Sequence, residues 1–222
     1  MKTLYHYPLD AFGRIIRIYL REKSLEYQEI EDCPWDRKYK FHEYHMFSDL
    51  PTLVENSDMV LEGCYSIVEY FEQFHKSDFL LGNVSGEKRE ILRISSLFNM
   101  NFFSDVTNVI VFEKIIKRYT DKSSPDSSSL RRGNSNIKKY FDYISWLTSR
   151  RNWLAGKDFS FADISAAAQI SCVDYIGSIE WDHYPEVKDW YVRIKSRPSF
   201  RGILKDRVLN INPPRFYSDL DF

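Results

Sequence analysis

The chain has 222 residues, 43% hydrophobic and 28% charged, enough to build a proper core in one large domain or two small ones. Its 31 basic and 32 acidic residues leave a formal charge of −1, which argues against generic nucleic-acid binding, and its histidines and cysteines show no metal-ligand spacing. No apolar run is long enough to span a bilayer, MKTLYHYPLD does not read as a signal peptide, and the widely separated Cys33, Cys64 and Cys172 fit reduced thiols in a cytoplasm.

Thr3 to Tyr7 alternates and is β-rich, and Pro8 ends it. Phe12, Ile15, Ile16, Tyr19 and Leu20 then share a helical face, with Arg14, Arg17 and Arg21 mostly opposite. Leu25 to Ile30 predicts a second strand, closing a βαβ unit with a right-handed crossover. Asp32 to Phe47 is aromatic and polar, a loop leading into a short irregular helix, in which Trp35 is either packed on its own domain or an exposed binding anchor. Leu50 to Leu61 predicts a hairpin turning at Asn56-Ser57-Asp58, with Pro51 a candidate cis proline. Ser66 to His75 places Ile67, Val68, Phe71 and Phe74 on one helical face. The first unit, residues 1–78, therefore reads β-α-β-α-β-β-α, a mixed four-stranded sheet covered by helices.

After a linker over Lys76 to Gly86, one helical pattern runs from Glu87 to Arg118 through Ile91, Ile94, Phe98, Phe102, Val106, Val109, Phe112 and Ile116, with room for a bend at Asn99 to Asn101. Tyr119 to Asn136 is polar and serine-rich, which predicts a mobile connection at least in its first half. Ile137, Tyr140, Phe141, Ile144 and Leu147 mark the next helix, ending in Arg150-Arg151. Ser160 followed by Asp163 is a capping box, and the uncharged stretch Ile164 to Cys172 behind it must be a buried central helix. Val187, Trp190, Tyr191 and Ile194 form one more amphipathic helix, halted at Arg197-Pro198, and a short helix from Ser199 carries Phe200 and Leu204. Residues 86–207 thus form an all-helical unit, and 208–222 a tail predicted to be extended, too apolar at its end to be solvated filler.

LPTLVENSDMVLEGCYSIVEYF, WLAGKDFSFADISAAA and WYVRIKSRPSF together resemble the cis-proline hairpin, capping-box helix and C-terminal helix of the glutathione transferase superfamily. The resemblance implies an α+β protein, a thioredoxin-like βαβαββα domain followed by an all-α glutathione-transferase domain. Family members meet the glutathione sulfur with a Ser, Tyr or Cys at the first helix N-terminus, where the helix end stabilises the thiolate. The positions of the usual Ser and Cys hold Asp10 and Gly13 here, an anion that repels a thiolate and a residue with no side chain. Tyr5 and Tyr7 are the remaining candidates, though tyrosine is commonplace in a β-rich run. The family's Glu-Ser pair for the γ-glutamyl end aligns with Gly63-Cys64, and Glu62 lies one residue early, rotated by about 100° at helical period. Asp10, Pro51, Thr52, Gly63 and Cys64 therefore outline a vestigial cleft with no catalytic residue, which argues against glutathione binding.

IEWDHYPEVKDWYVRIKSRPSFRGILKDRV, with a proline-containing tail ending YSDLDF, resembles one branch of that superfamily more closely. That branch forms homodimers and binds polymers of the tubulin-like division protein FtsZ instead of catalysing conjugation. The resemblance implies a non-catalytic adaptor at the cytoplasmic division site, without cofactor, nucleic acid or membrane insertion. Its partner surface would comprise Trp35, Arg37, Glu113, Lys117, Arg118 and Asp219. The competing readings are an active glutathione-dependent transferase or isomerase using Tyr7 or Cys64, and a sensor of a peptide-like ligand near Pro51.

Overall fold

The computed structural model describes residues 2–33, 35, 50–56, 59–74 and 79–220. Strand β1 (Thr3–His6) pairs parallel with β2 (Gln28–Glu31) and antiparallel with β3 (Thr52–Asn56), and β3 pairs antiparallel with β4 (Met59–Glu62). The sheet order is β2-β1-β3-β4, with Tyr5 facing Ile30 on one side and Thr52 on the other. β2 begins later than Leu25, because the end of helix α1 (Ala11–Glu22) holds the chain that far. Ser24 takes φ 54°, and Leu25 N donates to Leu20 O at 2.9 Å, satisfying carbonyls of the last turn. The irregular helix expected before Phe47 and the turn at Ser57-Asp58 lie outside the described residues, as does Arg37.

The expectation that the α1 arginines face away from the core is corrected: Arg14 and Arg17 are both buried. One side of α1 covers the sheet domain, where it packs on α2 (Cys64–Phe74), and the other meets the helical domain at α7 (Phe161–Tyr175) and α9 (Arg201–Leu204). The guanidinium groups are satisfied in that seam. Arg17 reaches Asp206 through both terminal nitrogens at 2.8 Å and Glu29 at 3.0 Å, while Arg14 donates to Pro8 O at 2.6 Å and Ser171 Oγ at 2.8 Å. Arg197 closes the same seam on Glu22 with two bonds of 2.7 Å. In α2, Ile67, Val68 and Phe71 are buried as expected, but Phe74 is 67% exposed.

The long helical rod comprises α3 (Ser85–Ser96), π-wound turns over Leu97–Thr107, α4 (Asn108–Val111), a second π-wound segment (Phe112–Ile116) and α5 (Lys117–Thr120). The wider winding shifts the buried face. Ile91, Ile94, Phe98, Phe102 and Val106 are buried as the 3.6 period predicts, and then Ile110 and Val111 take the core positions expected of Val109 and Phe112. Helix α6 (Ser127–Thr148) starts ten residues before Ile137, so the serine-rich stretch expected to be mobile is largely helical. Asp126 caps it by accepting from Ser129 N at 2.8 Å. Gly133 lets α6 approach the rod, since a Cβ there would lie 3.1 Å from Ile110 Cγ1.

α7 is buried along its whole length and its capping box is formed: Ser160 N donates to Asp163 Oδ2 at 3.1 Å, and Ser160 Oγ accepts from Ala162 N. Helix α8 (Pro185–Lys195) joins it through Trp190 Nε1, which donates to Asp163 Oδ1 at 3.0 Å. The tail is not simply extended. It bridges Val208 to Ile211 and makes a 3-10 turn at Arg215–Ser218 that buries Tyr217. Tyr175 Oη accepts from Val208 N at 2.9 Å and donates to Ile211 O at 3.0 Å, so the tail docks on its own chain.

Candidate binding surface at the interdomain cleft

The Leu50–Pro51 bond is cis, and Pro51 O accepts from Gly63 N at 2.9 Å, bringing β3 against the start of α2. Thr52 is fully buried in β3 opposite Glu62, and Gly63 has φ +75°, a turn that a side chain would strain. Cys64 opens α2 but is buried, and its burial together with the nearby charge of Asp10 pushes the thiol well above the ordinary range. A thiol held protonated in this way is inert as a nucleophile, which favours the packing reading of Cys64.

Asp10 is the N-cap of α1. Its carboxylate accepts from Phe12 N at 3.1 Å and Gly13 N at 2.7 Å, occupying the donors with which that helix end would stabilise a thiolate. Burial pushes its carboxyl up to about 7, against the opposing pull of the two backbone N–H groups and Arg14. Glycine at position 13 permits this close cap, since a Cβ would sit 2.9 Å from Asp10 Oδ2 and 3.1 Å from His6 Cβ. Asp10 lies close enough to Cys64 for its charge to bear on that thiol. Among the described residues it lines a space of about 250 Å³ with Tyr7, Trp35, Phe103 and Thr107, on the side of the helical domain.

Trp35 forms one wall of that cavity and of a second of about 420 Å³, lined also by Cys33, Tyr119, Arg207 and Leu209. It is half-buried rather than a freely exposed anchor. Its ring stacks on Tyr119 at 5.9 Å and 14°, and meets Tyr7 edge-on at 4.8 Å. Desolvation is the largest cause pushing the Tyr7 phenol far above its usual range, with nearby Cys33 and Tyr119 adding to it.

The Trp35–Tyr119 stack brings the last turn of the rod, at Tyr119, beside the indole. Arg118 is exposed there. Glu113 departs from the expected solvated face: it is buried and accepts from Lys117 Nζ at 2.9 Å and Asp126 N at 2.7 Å, tying α6 to the rod. Asp219 is exposed where the tail's 3-10 turn ends, and its charge bears on Lys195 of α8. Leu209 is the residue missed from sequence. It is 75% exposed, and Tyr119 Oη donates to its carbonyl at 2.8 Å. The only local signal is an apolar pair ahead of Asn210, whose φ of +60° turns the chain back.

Residues 4–78 match the description "Glutathione S-transferase, N-terminal domain", and residues 111–207 match "Glutathione S-transferase, C-terminal domain". The chain belongs to the glutathione S-transferase family. Over its full length it is 35% identical to FtsZ-localized protein A of Caulobacter vibrioides, covering 98% of that relative. The solved structure of FzlA from C. crescentus superposes with a TM-score of 0.95 at 35% identity, covering 100% of this chain and 99% of that one. A glutathione S-transferase from Rhodospirillum rubrum F11 does so with a TM-score of 0.95 at 38% identity over the whole of both chains.

Proposed function

We propose that the chain is a non-catalytic homodimeric adaptor that binds FtsZ polymers at the division site and regulates constriction. The observation that carries this reading is the full-length 35% identity to FtsZ-localized protein A. It is supported at the first helix, where the Asp10 carboxylate takes the backbone donors that a glutathione thiolate would need. The partner surface is Trp35, Arg37, Lys117, Arg118 and Asp219, with Glu113 holding the end of the rod in place from beneath. The dimer seam is supported by exposed Tyr65, Leu92, Met100 and Trp146. Asn99 Nδ2 donates to Tyr65 Oη at 3.2 Å and Arg93 Nη2 to Tyr143 Oη at 2.7 Å, joining α2, the rod and α6 into one surface.

Trp35→Ala is expected to abolish co-sedimentation with FtsZ polymers while the fold and dimer persist; unchanged co-sedimentation removes Trp35 from the surface, and absence of co-sedimentation by the native protein removes the reading. A glutathione-dependent transferase is the second reading, favoured by the 38% identity to the R. rubrum protein. Thioether formation from a general electrophile at an enzymatic rate would establish it.

A further inference from the structure

The smaller cavity of the cleft contains an unexplained polar group. Thr107 is 1% exposed, lines the cavity, and among the described residues its hydroxyl has no hydrogen-bond partner. In an α-helix a threonine hydroxyl commonly returns to a carbonyl one turn back. Here the winding is π-type, with Asn108 N donating to Phe103 O, and the Thr107 hydroxyl makes no such bond. Wider turns of this kind recur at functional sites. A buried hydroxyl without a partner is unfavourable unless something arrives to satisfy it.

The rest of the wall defines what would arrive. Among the described residues the Asp10 carboxyl accepts from Phe12 N and Gly13 N alone, so each oxygen retains acceptor capacity. The nearby Arg14 guanidinium is directed elsewhere, onto Pro8 O, Ser171 and Asp206. Three aromatic rings, those of Tyr7, Trp35 and Phe103, line the same space. A carboxyl group that an arriving cation holds in its ionised form, with aromatic faces around it, is the combination that attracts an ammonium group, through charge and through the negative faces of the rings. A space of about 250 Å³ admits a small molecule only.

We propose that this cavity is a receptor for a small primary amine carrying an apolar group, with the ammonium on Asp10 and the Thr107 hydroxyl and the apolar part among the rings. The occupant is thus opposite in charge to a thiolate. This inference is independent of the FtsZ reading.

The probes are 2-phenylethylamine, 2-phenylethanol and phenylacetate, matched in size, titrated calorimetrically into the full-length native protein. The amine is expected to bind at least tenfold more tightly than the alcohol, and phenylacetate to give no saturable heat. Asp10→Asn keeps a good N-cap and is expected to erase the preference for the amine over the alcohol. Thr107→Val, which keeps the shape and removes the hydroxyl, is expected to weaken the amine several-fold. Equal affinity for amine and alcohol in the native protein, saturable binding of phenylacetate, or no binding of any probe overturns the proposal. The native comparison needs no variant, so misfolding of Asp10→Asn would not protect it.

Discussion

Replacing Asp163 with alanine tests how the helical domain is held together. The substitution strips the acceptor from three buried N–H donors, Leu154 N at 2.9 Å, Trp190 Nε1 at 3.0 Å and Ser160 N at 3.1 Å, and from the Ser160 hydroxyl at 3.1 Å. Each buried N–H left without a partner costs about 1–3 kcal/mol, so about 3–9 kcal/mol is at stake for these three before relaxation. Burial acts in the opposite direction. It raises the Asp163 carboxyl from 3.8 to about 6, so the folded state holds its proton to higher pH than the unfolded state. A raised carboxyl gives stability that is fully present below the unfolded value and is lost as pH rises through the folded one. Across that gap the loss is about 3 kcal/mol, and alanine does not incur it. The net expectation is a loss of about 3 kcal/mol at pH 7, the middle of a range of about 0–6 and a large share of the ~5–15 kcal/mol typical of a folded domain. The difference between native and variant should be greater at pH 5 than at pH 7 by about 1 kcal/mol. Urea denaturation at both values measures it. A variant more stable than the native protein at pH 7, or a difference that grows with pH, would refute the reasoning.

Two further perturbations address the domain seam and the assembly. Asp206→Asn removes the carboxylate that pairs both terminal nitrogens of Arg17 and lies 3.5 Å from Arg14, leaving two buried cations short of charge. The expected cost is about 3 kcal/mol, read as a lower urea midpoint, and an unchanged midpoint would mean that Glu29 alone neutralises the seam. Met100→Lys puts a cation on a side chain that is 64% exposed in the proposed dimer seam. Sedimentation equilibrium is expected to show a dimer for the native protein and a monomer for the variant; a dimer in both would locate the seam elsewhere, and a native monomer would remove the dimer from the proposal.

Much of the fold was legible because short-range chemistry specified it. Ser160 and Asp163 announced their helix through capping geometry that spans three residues, and the core of α2 followed helical period at Ile67, Val68 and Phe71. Legibility failed where the competing force was distant. The arginines of α1 read as a solvent face because nothing local reveals that Asp206 waits 189 positions away for Arg17. Ser127 to Asn136 read as loop because serine has modest helix propensity, yet Glu113 on the rod binds Asp126 N and holds the helix start.

The candidate surface divides in the same way. The sequence by itself determined the family resemblance, the presence of a carboxylate at the start of the first helix, and the choice of Trp35 and the rod's last turns as residues to watch. Only the tertiary structure decided that Trp35 lies between Tyr7 and Tyr119, that Glu113 faces inward, and that Leu209 borders the same cleft. The physical reason is range. Caps, turns and periodic faces are fixed by neighbours a few positions apart, whereas a cleft exists only where separately folded elements meet, at distances along the chain that no local pattern encodes.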